Sequence, residues 1–346
     1  ALEVFGSEGY DGASMNAICT RAGISKGIIY HYFAGKEDLY LSCCRESTQK
    51  MADYLPDVPV LREEPLSRHT SFRIGGPARR MAFPKSGEQL VLLVSFARAC
   101  GARPFVLGNG TNLLFGDGET DRLVISTRDL AQLRRGGSEN EIIAGAGVPL
   151  ARLAVFAQQA GLTGLEFAHG IPGSVGGAVC MNAGAYDGEM KGVVKSVTLL
   201  LPEEGVHTLS GADMAFGYRR SFLTDHPETV VLEAAFSLRP GNPAAIRARM
   251  EELMARRKKS QPLEWPSAGS TFKRPTGYFA GPLIEQAGLK GFSVGGAQVS
   301  EKHAGFVINR GGATCADVRA LIGEVQRRVQ ERAGVLLEPE VKFVEK

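Results

Sequence analysis

The sequence predicts an α+β protein preceded by a short all-α segment, and three observations support this prediction. After about residue 66, helix-like and strand-like hydrophobic patterns alternate along the chain. Glycine is frequent between them, with 43 glycines in 346 residues. Residues 1–55 instead resemble short helices joined by tight turns. With 44% hydrophobic residues, the chain is long enough for two or three domains that each bury a core.

Composition argues against several classes of protein. The net charge of +3 is too small to require a nucleic-acid or membrane partner. No apolar run approaches the roughly 18 residues that span a bilayer, and Ala1 does not open a signal peptide, so we expect a cytoplasmic protein. The cysteines lack paired metal-ligand spacing, which predicts reduced thiols and no metal site. They are Cys19, Cys43, Cys44, Cys100, Cys180 and Cys315.

The N-terminal 55 residues show a helix, tight turn, helix pattern. Ser14 begins one helix that Gly23 ends, and Ser25 caps the next, at residues 26–33. Residues 22–33 resemble the DNA-binding head of TetR-type repressors. That resemblance implies that Lys26, Tyr30 and His31 face DNA.

Electrostatics disfavour DNA as a partner of this segment. Residues 1–55 hold five Lys or Arg and seven Asp or Glu, a net charge of 5 − 7 = −2. We therefore expect a fused or truncated helical segment without a DNA function, with DNA kept as a candidate partner. Pro56, Pro59 and Pro65 then predict a linker at residues 56–65, since prolines remove backbone donors and favour extended neighbours.

Two glycine-rich segments follow. The strand at residues 104–107 leads into Gly108-Asn-Gly-Thr-Asn-Leu, which lacks the third glycine of a dinucleotide fingerprint. On its residues alone it is either a simple turn or a loop whose N–H groups approach a phosphate. From residue 161 to residue 192, nine of 32 residues are glycine. That density suits either tight turns or close backbone approach to a flat ligand.

The C-terminal third predicts two helices and a set of reactive groups. Ile246, Met250 and Leu253 mark one helix, which ends in a basic cluster at residues 256–259 that is either solvated surface or attracts a diphosphate. Thr314 and Asp317 cap the other helix. Residues 216–222, 267–273 and 337–343 supply a guanidinium, a hydroxyl and a carboxylate. Such a trio can protonate a carbon and hold a substrate carboxylate.

These motifs, in this order from about Leu66 to Phe343, resemble the UDP-N-acetylenolpyruvoylglucosamine reductase family. Residues 277–291 and 295–306 resemble its shorter, second type. The resemblance implies a two-part FAD-binding region of the vanillyl-alcohol-oxidase kind at residues 66–240, divided near residue 125. An α/β substrate-binding domain follows at residues 241–346. It also implies FAD as the cofactor, NADPH as the hydride donor and a UDP-sugar substrate.

The resemblance also assigns site residues. Arg219, Ser270 and Glu340 are the expected catalytic residues, which stabilise enolate charge, donate a proton and hold a proton, respectively. Tyr218 and Lys273 are expected to bind substrate. The expected cofactor-binding residues are Arg73, Gly75, Gly108, Asn109, Gly110, Thr111, Asn112, Leu113, Gly170, Ile171, Pro172, Gly173, Ser174, Gly176, Gly177, Asn182, Gly184, Ala185 and Tyr186.

Several alternatives stay open. Arg220 is the fallback for Arg219, and Glu338 competes with Glu340. Some family members carry Asn where this chain has Arg274, so no contact is assigned there. The chain could also be another FAD-dependent oxidoreductase of the same superfamily, or a transcription regulator that senses a cell-wall precursor.

Overall fold

The computed structural model describes residues 1–43 and 57–344. The N-terminal part is all helical and has its own small core, built from Phe5, Ile18, Ile29 and Leu39 among others. Its helices are α1 (Leu2–Gly12), α2 (Met15–Ala22), α3 (Lys26–Tyr32) and α4, which covers residues 36–43. As predicted, the Ser14 side chain caps α2, and Gly23 ends it in the left-handed conformation.

The first β unit is a four-stranded sheet with one covering helix. Its strand order is β1-β2-β5-β3, in which β1 is antiparallel to β2 and the other pairs are parallel. The elements are β1 (Val60–Pro65), β2 (Pro77–Ala82), α5 (Gly87–Ala99), β3 (Phe105–Leu107), β4 (Leu113–Phe115) and β5 (Thr120–Ser126). Helix α5 begins after Ser86, whose hydroxyl accepts a hydrogen bond from the Gln89 N–H, and its Leu90, Leu93 and Val94 are buried.

The predicted linker is wrong over most of its length. Pro56 lies outside the described residues, but Val60–Pro65 is strand β1, in register with β2 from Val60 opposite Ala82 to Pro65 opposite Pro77. Proline removes a ladder donor, which an edge strand tolerates at its end. Because β1 is such an edge strand, Pro65 is accommodated and the first sheet starts six residues before Leu66.

The second unit is a five-stranded antiparallel sheet flanked by helices. Its strand order is β12-β11-β13-β7-β6. The elements are β6 (Leu133–Arg135), β7 (Glu141–Gly145), α6 (Leu150–Gln159), β8 (Leu162–Thr163), α7 (Val175–Met181), β9 (Gly184–Ala185), β10 (Gly188–Glu189), β11 (Val194–Leu201), β12 (Gly205–Ser210), α8 (Phe222–Asp225), β13 (Val230–Ser237), β14 (Arg239–Pro240) and α9 (Pro243–Ser260).

Helix α9 packs with this second unit, although the predicted domain boundary at residue 241 assigns it to the next one. Its Ile246 and Met250 lie in the same core cluster as Leu162 and Phe167. The amphipathic pattern that reveals the helix carries no information about which neighbour its apolar face covers. The structure shows that α9 belongs with the glycine-rich half of the protein.

The third unit is a four-stranded antiparallel sheet of order β15-β18-β17-β16, covered by one long helix. Its elements are β15 (Ser267–Ser270), α10 (Ala280–Gln286), β16 (Ser293–Val294), β17 (Ala297–Val299), β18 (Phe306–Asn309), α11 (Cys315–Ala333) and β19 (Lys342–Val344). The predicted capping pair is confirmed: Thr314 and Asp317 each bond the other's backbone N–H. Val318, Leu321 and Val325 bury the inner face of α11.

The third unit docks directly on the first. Strand β19 pairs in parallel with β4, and the Asp117 carboxylate accepts hydrogen bonds from the N–H groups of Cys315, at 2.7 Å, and Ala316, at 3.2 Å. This pairing carries Glu340, two residues before β19, to the end of the first glycine-rich loop.

Over the described ranges, none of the helices has the length and apolarity needed to cross a membrane.

Candidate active site

A cavity of about 1390 Å³ opens where the three units meet. Backbone-rich loops form one side of it, and charged or hydroxyl side chains form another. Of the residues expected from the sequence, its lining includes Gly108, Asn109, Gly110, Thr111, Asn112, Leu113, Gly170, Ile171, Pro172, Gly173, Ser174, Gly176, Gly177, Gly184, Arg219, Ser270 and Glu340. The fold therefore brings both glycine-rich segments and all three expected catalytic residues to one space.

The first glycine loop depends on residues without side chains. At Gly110, φ is +60°, and a Cβ would overlap the carbonyl oxygen of His69. At Gly108, a Cβ would overlap the Ser174 hydroxyl of the second glycine segment. Asn109 Nδ2 donates to the Pro172 carbonyl at 3.4 Å, which joins the two loops. The two loops are thus packed closely together, and both line the cavity.

Ser174 shows that the cavity beside these loops suits a polar ligand. The residue is only 1% exposed, lines the cavity, and its Oγ lacks a hydrogen-bond partner within the described structure. A buried hydroxyl without a partner is unfavourable by about 1–3 kcal/mol. A bound group carrying acceptor oxygens would relieve that cost, so the residues present fit the FAD implied by the sequence.

Arg219 is held in a tight turn. Gly217 and Arg220 exchange backbone hydrogen bonds of 3.0 and 3.2 Å, and Arg219 between them has φ of +55°. A left-handed conformation is strained for a non-glycine residue and persists only when its surroundings fix it. The turn directs the Arg219 guanidinium to Glu340, where Nε lies 2.6 Å from Oε1.

Asn182 supports this turn, whereas the sequence assigned it to the cofactor. Its buried amide donates to the Gly217 carbonyl and to Glu189 Oε2, both at 3.0 Å, and accepts from the Lys191 N–H at 2.9 Å. With its amide engaged in this way, Asn182 is absent from the cavity lining. Asn182 therefore contributes to the site indirectly, by holding the turn that positions Arg219.

Replacing Asn182 tests this supporting role. Asn182→Gly, which tolerates the local φ of +42°, is expected to lower the unfolding free energy by about 2–3 kcal/mol through the lost hydrogen bonds. Asn182→Ala should lose about 1 kcal/mol more, because alanine is strained in this conformation. Urea unfolding measures both changes. Wild-type stability in the two variants would contradict the assignment.

The Arg219–Glu340 pair is partly withdrawn from water, with side-chain exposures of 24% and 13%. Burial raises the pKa of Glu340 above its ordinary value, against the opposing effects of Arg219 and Lys273. A carboxyl group with a raised pKa can hold a proton at a higher pH than a solvated one. Glu340 is thus suited to hydrogen-bond either as a donor or as an acceptor.

The raised pKa of Glu340 predicts a pH-dependent stability. Between the ordinary pKa of 4.5 and the raised value, the folded state binds more protons at this group than the unfolded state does. The unfolding free energy of the wild type, relative to Glu340→Gln, should therefore fall as pH rises through that window and be constant above it. Urea unfolding of both proteins from about pH 4 to pH 8 measures this difference. A relative stability that rises with pH would contradict it.

Ser270 lies beside Glu340 because two chain segments run antiparallel. The Glu340 N–H donates to the Thr271 carbonyl and the Lys273 N–H donates to the Glu338 carbonyl, both at 2.8 Å. The Ser270 hydroxyl is exposed to the cavity and makes no hydrogen bond within residues 1–43 and 57–344. Such a hydroxyl is available to a ligand.

The expected substrate residues lie outside the cavity lining. Lys273 forms an ion pair with Glu338, whose side chain is 69% exposed. The Tyr218 hydroxyl accepts a hydrogen bond from the Arg274 N–H at 3.0 Å, and the Arg274 guanidinium lies over the Phe279 ring. These side chains belong to the same loops as Arg219 and Ser270 but lie outside the cavity lining.

Four expected cofactor residues also lie away from the cavity lining. Arg73 is exposed, and Gly75 packs where a Cβ would touch Leu66 and Phe115 at 3.0 Å. Ala185 and Tyr186 form the small hairpin of β9 and β10. Arg257, in contrast, lines the cavity, although the sequence showed it only as one member of a basic cluster.

The two-part α+β region and its glycine-lined cavity define a flavin-dependent oxidoreductase. A family model described as "FAD binding domain" matches residues 78–210, and one described as "UDP-N-acetylenolpyruvoylglucosamine reductase, C-terminal domain" matches residues 261–344. The second match begins after α9, in agreement with the packing of that helix. FAD is the cofactor.

Similar proteins identify the family. UDP-N-acetylenolpyruvoylglucosamine reductases from Pediococcus pentosaceus and Caldanaerobacter subterraneus are each 49% identical, over 86% and 85% of this chain and 98% and 97% of theirs. The crystal structure of the Thermus caldophilus reductase (MurB) matches with a TM-score of 0.70 and 36% identity, covering 83% of this chain and 98% of that one. The chain belongs to the UDP-N-acetylenolpyruvoylglucosamine reductase family, so the predicted family and fold class are confirmed.

The N-terminal segment has a separate likeness. Residues 1–43 match a model described as "Bacterial regulatory proteins, tetR family". Tyr30 and His31 of α3 are exposed, as that resemblance implied, while Ile29 is buried in the helical core. The match identifies what the segment resembles and provides no evidence of a DNA contact.

Proposed function

We propose that this protein reduces UDP-N-acetylglucosamine enolpyruvate to UDP-N-acetylmuramate with NADPH, in the cytoplasm, as a step of peptidoglycan precursor synthesis. The observation that supports this proposal is the meeting of Arg219, Glu340 and the unengaged Ser270 hydroxyl in the glycine-lined cavity. Another flavin oxidoreductase would need the loops but would have no need of this trio.

The residues of the two glycine loops, with Ser174, would hold FAD. When bound, FAD would supply hydride-transfer chemistry between NADPH and the UDP-sugar substrate. No second glycine fingerprint followed by a helix appears in the sequence. NADPH and the UDP-sugar are therefore proposed to use the same space in turn.

Arg219 and Glu340 act on the charge that the reduction creates. Hydride addition to the terminal vinyl carbon moves an electron pair onto the substrate carboxylate, which gains enolate character. A preorganised guanidinium stabilises that charge as it develops. Glu340, whose pKa burial raises, can share a proton with the same oxygens.

Ser270 completes the addition. Its hydroxyl donates a proton to the carbon next to the hydride acceptor, so that one hydride and one proton are added across the double bond. Serine is a weak acid, but an enolate carbon is a strong base, and the nearby cations Arg219 and Lys273, each paired with a carboxylate, would help to stabilise the serine alkoxide that forms. The serine then recovers a proton from the surrounding solvent.

The outer side chains are proposed to hold the nucleotide end of the substrate. Lys273 would exchange its partner Glu338 for a phosphate oxygen, and Tyr218 would lie beside the nucleotide in the position that Arg274 fixes. Because Glu338 is exposed, the exchange costs little Coulomb energy.

The test is a product analysis. Purified protein incubated with NADPH and UDP-N-acetylglucosamine enolpyruvate should yield a product heavier by one hydride and one proton, identified by mass spectrometry as UDP-N-acetylmuramate. When the NADPH carries deuterium at C4 of its nicotinamide ring, the product should carry deuterium on its terminal carbon. Oxidation of NADPH without this product would favour another flavin oxidoreductase.

The remaining alternative, a regulator, arises only from the likeness of residues 1–43 to the tetR family. Its described residues 1–43 hold three Lys or Arg and five Asp or Glu, giving 3 − 5 = −2, which disfavours binding to phosphates. We propose that it makes no sequence-specific DNA contact. A gel shift at physiological salt with a random DNA library should recover no preferred sequence, and enrichment of one sequence would support the regulator.

A further inference from the structure

Arg257 is a cation in the cavity wall to which the described residues offer no anionic partner. It lies in the last turn of α9 and is half-buried. Its Nη1 donates to the Gly170 carbonyl, and its Nε donates to Gln261 Oε1 at 2.9 Å. Within residues 1–43 and 57–344, no carboxylate pairs with it. Both of its hydrogen-bond partners are neutral, so its charge is uncompensated.

The neighbouring residue shows what an ordinary surface arginine does on this helix. Arg256 is 58% exposed and pairs with Glu252 at 2.6 Å. Arg257, in contrast, loses solvent without gaining a countercharge, and burial lowers its pKa. A buried charge is unfavourable unless it is paired. An anionic ligand in the cavity would supply the missing partner.

The packing of Arg257 indicates which ligand supplies that charge. It contacts Gly170 of the glycine-rich segment at residues 161–192, in which the Ser174 hydroxyl also lacks a partner within the described structure. Helix α9 is anchored in the core of this same unit through Ile246 and Met250. The groups assigned to the substrate, in contrast, lie around Ser270 and Glu340 of the third unit. Arg257 is thus fixed to the cofactor side of the cavity.

We propose that Arg257 binds the diphosphate of FAD and, by holding the Gly170 carbonyl, orients the glycine segment toward it. This inference rests on FAD as the cofactor and goes beyond the roles assigned to Arg219, Ser270 and Glu340. An arginine suits a diphosphate because its planar guanidinium donates two parallel hydrogen bonds to phosphate oxygens.

The test compares Arg257→Met with Arg256→Met as the matched control. The apoproteins are titrated with FAD and with riboflavin, which has the same ring system and no phosphate, and flavin fluorescence reports binding. Arg257→Met is expected to weaken FAD binding about 10- to 100-fold and to leave riboflavin binding unchanged. Arg256→Met should match the wild type for both, and Arg257→Lys should recover part of the FAD affinity.

Three other results would overturn the proposal. Equal weakening of FAD and riboflavin binding would show that Arg257 only maintains the loop or contacts the flavin ring. Unchanged FAD affinity with weaker UDP binding to the holoenzyme would assign Arg257 to the substrate. Wild-type behaviour for both ligands would remove it from the site. Thermal unfolding of each apoprotein identifies any variant that fails to fold. If Arg257→Met fails to fold, Arg257→Lys is compared with the wild type instead.

Discussion

Ser270→Ala is expected to leave the reduction of bound flavin by NADPH nearly unchanged and to slow its reoxidation by the UDP-sugar substrate about 100- to 10,000-fold. The variant removes the proposed proton donor but no part of the glycine loops, and Ser270 makes no hydrogen bond within the described structure whose loss would disturb the fold. Stopped-flow absorbance under anaerobic conditions measures the two half-reactions separately.

Ser267→Ala is the matched control for this experiment. Ser267 lies in the same strand, β15, and also lines the cavity, but it is the Ser270 end of the strand that adjoins Glu340. The control should reoxidise at close to the wild-type rate. If Ser270→Ala slowed both half-reactions to the same extent, the assignment of Ser270 as proton donor would be wrong.

Arg219→Met is expected to reduce turnover of the UDP-sugar about 100- to 1000-fold, the usual effect of removing one donor to a developing negative charge. The variant also leaves the Glu340 carboxyl, 13% exposed, without its 2.6 Å partner. Loss of this cation should raise the pKa of Glu340 further. Reduction of the flavin by NADPH should persist, since Arg219 is assigned to the substrate.

Arg220→Met provides the control for Arg219. Arg220 is the next residue in the chain, is 54% exposed and pairs with Asp225 at 2.7 Å. Steady-state kinetics should show a change of about threefold or less for this variant, because Arg220 does not line the cavity and its exposed ion pair contributes little to stability. A larger loss for Arg220→Met than for Arg219→Met would exchange the roles of the two arginines.

Local sequence signals predicted the elements whose causes are local. The caps at Ser14 and Thr314 depend on residues within one turn, and α2 and α11 begin where these caps predict, whereas Ser25 begins α3 without a side-chain capping bond. The edge strand β1 was missed because prolines favour a linker and only the partner strand shows that they are tolerated. The packing of α9 was likewise not predicted, because the residues that its apolar face covers, such as Leu162 and Phe167, lie about 80 residues earlier in the chain.

The site shows the same division between local and distant information. Motif resemblance named Arg219, Ser270 and Glu340, and the fold brings them together through contacts such as the one between Glu340 and Thr271. The supporting role of Asn182 depends on the Gly217 carbonyl, 35 residues away, which no local pattern reveals. In the sequence, Arg257 is only one member of a basic run. What distinguishes it from Arg256 is its burial in the cavity wall, which the sequence does not show.

The most direct test of the central claim is the visible spectrum of the purified protein. We expect a yellow protein with flavin absorbance that NADPH bleaches under anaerobic conditions and that UDP-N-acetylglucosamine enolpyruvate restores. A colourless protein that takes up no FAD, or a bleached one whose colour the UDP-sugar fails to restore, would contradict the account.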